Sequence, residues 1–189
     1  DHASDVVDQL TTAWIDRVQE TAVHELGEAH GNLLLQRAAS AAPVSYRSSV
    51  DAVTAVGDLV RLLELIDDEA ITRTALVRHV DDPDDLWRMR VYRQDEPIVL
   101  ADLLPMLGHI GLVAVDEHPH RFIIEGHECF VYDIGVRVPG GIVIDDQRHS
   151  EVRATFEGLL AGEIEPDGFN RLVLHAGLSA GQANILRCY

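Results

Sequence analysis

The chain of 189 residues has no lysine, only two cysteines and 5% aromatic residues. Cys129 and Cys188 are too few for a disulfide framework, and neither has a second cysteine at metal-ligand spacing. No apolar run approaches the roughly 20 residues that cross a bilayer, and no basic and apolar start indicates a signal peptide. These absences predict a soluble cytoplasmic protein whose thiols are free.

Positive charge is also scarce, because 15 arginines stand against 32 acidic residues and the formal net charge is −17. Nucleic acids and anionic membranes reward clustered cations through counterion release, so neither is expected as a partner. The exclusive use of arginine has two explanations that stay open here. It can reflect GC-rich coding, or it can reflect the better bidentate pairing of arginine with carboxylates at interfaces.

The motifs of common catalytic sites are absent. There is no Gly-x-Gly-x-x-Gly after a strand, no Walker loop and no Gly-x-Ser-x-Gly elbow. Of the ten histidines, His118 and His120 lie close together but without a third ligand, and the acidic pairs fall in apparent turns. His127 near Cys129 lacks the basic surroundings of an activated thiolate. No catalytic residue, metal site or cofactor is therefore predicted within the chain.

Residues 1–70 are predicted to form a helical segment of three helices. Ala41-Ala42-Pro43 should break the second helix, and Ser48 or Ser49, with Asp51 nearby, should open the third. The apolar positions at helical spacing are Val6, Leu10, Trp14, Val18, Leu33, Leu34, Ala38, Val53, Val56, Val60 and Leu63. Such a stripe is typical of core packing.

Residues 71–146 alternate with a period of two, which predicts a sheet with one buried and one polar face. The predicted helix of this segment is Leu100 to Ile110, ended by Gly111, with Pro105 near its first turn. The predicted strands are Thr72 to Val80, Leu86 to Arg93, Leu112 to Glu117, Phe122 to Ile124 and Phe130 to Val138, with a bend at His118-Pro119-His120. The fold class is α+β, an antiparallel sheet with helices on one face.

Residues 147–189 return to helical spacing and read as a connector. A helix from Ser150 ends near Gly162, and Phe169 to His175 forms another that Gly177 closes. Ser179 and Gln182 predict a capping box for a last helix that has only begun when the chain stops at Tyr189. Because the chain also starts at Asp1 rather than at methionine, we expect a piece of a larger protein.

Three arginines, Arg78, Arg88 and Arg90, should lie on or beside one face of the first hairpin. Cross-strand salt bridges to Asp133 or Glu125 explain this cluster in one interpretation. In the other, the cluster is a docking face for a neighbouring subunit or domain. Both interpretations stay open at the level of sequence.

The order of several motifs resembles the N-terminal regulatory region of the large bacterial NAD-specific glutamate dehydrogenases. The segments that carry the resemblance are Gly27-Glu28, Ala42 to Tyr46, Leu100 to Leu107, Gly111 to Val113, Glu117 to Pro119 and Asp167 to Leu178. The Leu-Pro segment and Asn170-Arg171-Leu172-Val173-Leu174 are its most specific parts. The match extends over nearly the whole chain.

The resemblance implies an ACT-like, ferredoxin-like module of the kind used to sense amino acids or to join subunits. It implies that a catalytic region with a lysine and an NAD site follows Tyr189, and that identical subunits are partners. In one interpretation, an amino-acid effector binds at the strand-to-helix turn, with its carboxylate at Arg93 and its ammonium group at Asp95 or Glu96. In the other, these three residues form an ordinary solvated turn. The alternative is a free-standing ACT-like module that binds amino acids or other proteins.

Overall fold

The structure is a computed structural model that describes residues 2–79 and 82–188, and only the backbone of residues 2–11. The side chains of Val6 and Leu10, and the predictions that involve Asp1, Val80, Asp81 and Tyr189, lie outside the described residues. The helices of the described part are α1 (His2–Leu26), α2 (Glu28–Ala38), α3 (Val44–Ser49), α4 (Ala52–Asp67), α5 (Leu100–Ile110), α6 (Asp146–Leu160), α7 (Arg171–Ala176) and α8 (Ala180–Arg187). The strands are β1 (Thr72–Val77), β2 (Leu86–Gln94), β3 (Val113–Ile124) and β4 (His127–Arg137).

The strands form one antiparallel sheet in the order β1-β2-β4-β3, which confirms the predicted α+β class. Two hairpins, β1 with β2 and β3 with β4, meet through β2 and β4. The polar face predicted for β2 is not open, because Arg90 and Tyr92 are buried as fully as Met89 and Val91 on the opposite face. Both faces of this strand are therefore covered.

The predicted bend at Pro119 is wrong, because β3 runs through it as one strand. β3 and β4 are joined by a two-residue turn, Glu125 and Gly126, so Ile124 and His127 form a hydrogen-bonded pair. Because such pairs recur at every second residue, the even-numbered residues of β3 direct their backbone N–H and carbonyl groups to β4. The nitrogen of Pro119 then faces the open edge of the sheet, where no ladder hydrogen bond is lost.

The chain divides into two compact units. The first holds the residues up to Ile71 together with Tyr92–Glu96 and Pro119–Val131, and the second holds Thr72–Val91, Pro97–His118 and the residues from Tyr132 onward. The strands β2, β3 and β4 thus contribute residues to both. The division into residues 1–70, 71–146 and 147–189 stays a prediction.

The helical part of the first unit contains four α-helices within the described residues, not three. Ser48 and Ser49 end α3 and donate to the Ser45 carbonyl at 2.9 and 2.8 Å, so neither opens the next helix. Asp51 caps α4 instead, and its carboxylate accepts the Thr54 N–H at 3.0 Å. An aspartate at this position is as good a cap as serine and adds a favourable charge.

The core of the first unit begins at Trp14, whose indole N–H donates to the Val50 carbonyl at 3.1 Å. Val18 follows on the same face of α1, as predicted, whereas Leu33 and Val53 are exposed. Other large buried apolar residues of this core include Leu34, Tyr46, Leu59, Leu62, Leu65 and Phe122.

Helix α5 of the second unit has the predicted bounds, and Gly111 ends it with a φ of 98° in the left-handed region. Pro105, however, lies in the second turn and not near the first. Its missing N–H leaves the Ala101 carbonyl without its usual partner, and both residues are exposed, where water can bind that oxygen. The predicted Ser179–Gln182 capping box of α8 is present.

Helix α6 starts at Asp146, before the predicted Ser150, because Asp145 accepts the Arg148 N–H at 2.8 Å. Gly177 closes α7 as predicted. No helix in the described ranges has the length and apolar character to cross a membrane.

Candidate functional site

An ion cluster occupies the sheet of the second unit. Arg88 Nε donates to Asp133 Oδ1 at 2.7 Å, and Arg90 Nη2 donates to Asp133 Oδ2 at 2.9 Å. Arg88 Nη1 also reaches Asp116 Oδ1 at 2.8 Å. The side chains of Arg88 and Arg90 are only 12% and 4% exposed. Of the two predicted acceptors, Asp133 therefore pairs with the cluster.

Gly135 explains how Arg88 on β2 reaches Asp116 on β3 across the intervening strand β4. A Cβ at residue 135 would lie 2.7 Å from Asp116 Oδ2 and 2.9 Å from Arg88 Nη1. The space above β4 is free only because this residue has no side chain. The Gly135 N–H also donates to Asp116 Oδ1 at 3.3 Å.

The cluster keeps Arg88 charged. Burial on its own would lower the pKa of Arg88, but its hydrogen bond to Asp133 and the charges of Asp133 and Asp116 raise it above its ordinary value. His118 Nε2 lies 3.6 Å from Asp116 Oδ1 at the exposed rim. Since its groups are matched inside the chain, the cluster is suited to fixing the register of three strands.

Arg78 stands apart from this cluster. It pairs with Asp84 at 2.8 Å, and the Asp84 side chain is fully exposed. Exposed pairs of this kind contribute little to stability, so Arg78 is available to a partner. The predicted interface role of Arg78, Arg88 and Arg90 stays a prediction.

Glu125, the other predicted acceptor, belongs to a triad in the first unit. Arg37 donates through Nε and Nη2 to Glu125, both at 2.7 Å, and through Nη1 and Nη2 to Asp67 at 2.8 and 2.7 Å. The hydrogen bonds from Arg37 lower the pKa of both carboxyl groups. The triad ties α2 and the end of α4 to the β3–β4 turn.

Of the three predicted effector residues, all in the first unit, Arg93 lies near the end of β2, and Asp95 and Glu96 follow the strand. Arg93 Nε donates to the Glu96 carbonyl at 3.2 Å, and the Asp95 N–H donates to the Glu128 carbonyl at 2.8 Å. Asp95 has a φ of 67°, in the left-handed region. Of the three, Asp95 lines a cavity, while Arg93 and Glu96 are not among its lining residues.

This cavity of about 380 Å³ lies at the carboxyl end of α4. Its lining residues are Ile66, Glu69, Ala70, Ile71, Gln94, Asp95 and His127. The Gln94 side-chain amide donates to His127 Nδ1 at 3.0 Å, and Gln94 Oε1 is buried without a hydrogen-bond partner. Sequence reasoning missed Glu69, Gln94 and His127, since they come from three distant places in the chain and match no motif.

Cys129 is a buried free thiol. Burial, followed by the charges of Asp95 and Glu128, raises the pKa of its thiol to about 11, so it is neutral at physiological pH. Within the described residues, no three His, Cys, Asp or Glu side chains are grouped so that they could hold a metal ion.

The four-stranded antiparallel sheet with its flanking helices defines the class, an α+β domain of the ACT type. Three protein-family models match in succession: glutamate dehydrogenase, helical motif 2, at residues 22–65; glutamate dehydrogenase, ACT3 domain, at residues 72–149; and glutamate dehydrogenase, helical motif 3, at residues 164–189. The chain belongs to the NAD-specific glutamate dehydrogenase family, which confirms the resemblance inferred from its motifs.

Curated relatives give the same assignment. The chain is 30% identical over 183 residues to the NAD-specific glutamate dehydrogenases of Halomonas elongata and Pseudomonas aeruginosa. It is 26% identical over 190 residues to that of Mycobacterium tuberculosis. Each match covers 96% of this chain but only 11% of the relative's length. The chain thus corresponds to a small segment of these enzymes.

Proposed function

We propose that the chain is a non-catalytic regulatory and assembly segment of a large cytoplasmic NAD-specific glutamate dehydrogenase. The parent enzyme converts L-glutamate and NAD to 2-oxoglutarate and ammonia, and NAD binds to its catalytic region, outside this segment. The observation that carries the proposal is the succession of helical motif 2, the ACT3 domain and helical motif 3 along one chain.

The polar groups of the second unit support a structural role over a chemical one. Arg88, Arg90, Asp116 and Asp133 are engaged with one another, and none of these pairs has the general base or nucleophile that oxidation of an amino acid requires. A cluster that holds three strands in register suits a domain whose task is to present a fixed surface.

Assembly with identical subunits and with the catalytic region is the first part of the proposed role. Arg78 is its main candidate contact, because it is paired with the fully exposed Asp84, and a positive charge on a chain with a net charge of −17 offers complementarity to another copy. Sensing of an amino acid near Arg93, Asp95 and Glu96 is the second part.

Two measurements test the proposal. The purified chain should form no NADH from L-glutamate and NAD, and any turnover above a protein-free blank contradicts its non-catalytic nature. In the whole polypeptide that the gene encodes, Arg78→Glu should lower the oligomeric mass measured by light scattering, while Arg153→Glu, another exposed arginine, serves as the control. An unchanged oligomeric mass for Arg78→Glu would remove the assembly role.

The free-standing module is the second candidate. It predicts that the chain alone binds amino acids or other proteins. It also predicts that no substitution in the chain changes the rate of glutamate oxidation. Measuring both in one preparation separates the two candidates.

A further inference from the structure

We propose that the protonation state of Glu117 controls whether the open edge of the sheet pairs with a second copy of the chain. While this carboxylate is charged, the edge stays unpaired, and once it is neutral, residues 113–117 of two copies form an antiparallel ladder. These residues all lie in the second unit. The inference goes beyond the proposed function, because it concerns a surface other than Arg78 and requires no effector.

Strand β3 is at the end of the sheet order, so one of its edges has no neighbouring strand within the described residues. Its odd-numbered residues direct their N–H and carbonyl groups to this edge, because the even-numbered residues pair with β4. Such an edge is a template for another strand. Val113 and Val115 lie beside it and are 54% and 44% exposed. The first half of β3 therefore offers both backbone groups and β-branched side chains to a partner.

Pro119 limits which strand can be added to this edge. It has no N–H to donate there, so a ladder cannot continue through it. The longest self-paired antiparallel ladder within β3 that avoids Pro119 is centred on Val115. Each Val115 then faces its equivalent across a two-fold axis, and Glu117 faces Val113 of the second copy. Cross-strand pairs of β-branched residues are favourable, so the strand is complementary to itself except at Glu117, and the partner that fits it is a second copy.

Glu117 opposes the pairing because its side chain lies on the covered face of the sheet. The Gly135 N–H donates to Asp116 Oδ1 at 3.3 Å, as expected for residues that face each other across two strands. The same register places Glu117 beside Ile134, which is fully buried. Glu117 Oε1 is itself buried and has no hydrogen-bond partner among the described residues. An inward-pointing charge on an edge strand prevents edge-to-edge pairing.

The charges around Glu117 do not compensate for its burial. Burial raises the pKa of Glu117 above its ordinary value, and the charge of His118 lowers it only in part. Arg121, further along the same face, is paired with Glu128. In the paired edge, Val113 of the second copy covers the carboxylate further, which favours its neutral form. Association therefore takes up protons, and the equilibrium moves toward the paired form as the pH falls.

Analytical ultracentrifugation of the full chain at neutral and at mildly acidic pH measures this association. The unmodified chain should associate more tightly as the pH falls. Glu117→Gln keeps the shape of the acid without its charge, so it should associate at neutral pH about tenfold more tightly than the unmodified chain, which corresponds to a change of about one pH unit in the pKa of the carboxylate. Glu20→Gln removes the same charge from an exposed position of α1 and is the matched control. Its association should follow that of the unmodified chain.

Val115→Pro tests the ladder itself. The Val115 N–H faces the open edge, so a proline there removes the central donor of the ladder but no hydrogen bond within the chain. Combined with Glu117→Gln, it should return the chain to the unpaired form at both pH values. Val115→Lys, which keeps the backbone N–H and adds an edge charge, should act in the same direction even where the proline variant does not fold.

Amide hydrogen exchange locates the contact. The amides of Val113 and Val115 should exchange slowly in the associated Glu117→Gln chain and rapidly in the unmodified chain at neutral pH. Unchanged association of Glu117→Gln, equally tightened association of Glu20→Gln, or association that survives both Val115 substitutions would overturn the inference. These outcomes leave the proposed function intact, because its own tests measure the oligomeric mass of Arg78→Glu and NADH formation.

Discussion

Asp58 of the first unit and Asp133 of the second are both buried carboxylates, yet their donors differ in kind. Asp58 accepts from the hydroxyl groups of Tyr46 and Tyr92 at 2.6 and 2.7 Å. Asp133 accepts from the guanidinium groups of Arg88 and Arg90 at 2.7 and 2.9 Å. Two tyrosine hydroxyl groups thus donate to the first carboxylate, whereas two guanidinium groups donate to the second.

The difference determines what is lost when a partner is removed. A tyrosine that loses its hydroxyl still fills its space with an aromatic ring, and the carboxylate keeps another donor. An arginine that loses a buried counter-ion keeps its charge, and the desolvation of that charge is then less well offset. The second unit should therefore tolerate substitution at its polar cluster less well than the first.

The largest effect is expected for Asp133→Asn, which keeps the shape of the side chain but removes its charge. Arg88 and Arg90 then lack their shared buried counter-ion, and breaking such a pair costs about 3–5 kcal/mol of unfolding free energy. Urea unfolding measures the loss. Asp84→Asn, at the exposed partner of Arg78, is the control and should change stability by less than about 0.5 kcal/mol. A loss below about 1 kcal/mol for Asp133→Asn would erase the contrast between the units.

Tyr92→Phe removes a hydrogen bond to the Asp58 carboxylate. It should lower the free energy of unfolding by less, about 1.5–3 kcal/mol, the range for a hydrogen bond to a charged group. The ring that lies beneath the Arg61 guanidinium is kept, so packing changes little. Tyr132→Phe provides a comparison, because its hydroxyl accepts the neutral backbone N–H of Ile98 at 2.8 Å. Equal urea midpoints for the two variants would mean that the charge of Asp58 adds nothing.

Gly135→Ala sharpens the comparison by disturbing the charged lattice without removing a charge. The new Cβ would displace Arg88 or Asp116, and overpacking of this kind costs about 1–3 kcal/mol. Gly108→Ala is the matched control, because no atom lies within 4 Å of a Cβ there and alanine favours the helix by about 0.5–1 kcal/mol. Thermal unfolding should therefore move in opposite directions for the two variants.

The smallest effect is expected at the Arg37 triad, which is largely exposed. The pKa values of Asp67 and Glu125 are lower in the folded chain than in the unfolded chain, through their hydrogen bonds to Arg37. The unfolded state therefore binds protons first, and the contribution of the triad, present above the unfolded pKa values, is lost as the pH falls through the folded ones.

Arg37→Met should accordingly lower stability by up to about 1 kcal/mol at neutral pH and by almost nothing at strongly acidic pH. Thermal melts at a series of pH values measure this convergence. Arg17→Met, an exposed arginine of α1, is the control. A difference that stays constant with pH would show that Arg37 acts through packing and not through charge.

Local rules predicted the elements that depend on neighbouring residues alone. The bounds of α5, the left-handed Gly111 after it and the Ser179–Gln182 capping box all follow from side chains within one or two turns of the chain. The pairing of Arg88 and Arg90 with Asp133 was among the predicted alternatives, since alternation on a strand places both arginines on one face.

Features that depend on tertiary position were not predictable in the same way. Pro119 reads as a strand breaker until the sheet order places β3 at an edge. The preference for Asp51 over Ser48 or Ser49 as a cap depends on where α3 stops. Asp58 was missed because Tyr46 and Tyr92 are 12 and 34 residues away, and the cavity lining because Gln94 and His127 are 33 residues apart. Helix or strand periodicity carries no information over such separations.

The absence of a side chain at Gly135 has an evolutionary consequence. Arg88, Asp116 and Gly135 lie on three different strands. The ion pair between Arg88 and Asp116 can exist only while residue 135, on the strand between them, has no side chain. A lineage that acquires a larger residue at 135 loses the ion pair of Arg88 with Asp116, while Arg88 keeps its pair with Asp133. Residues 116 and 135 should therefore change together among relatives, and a homologue with a bulky residue at 135 should lack the carboxylate at 116.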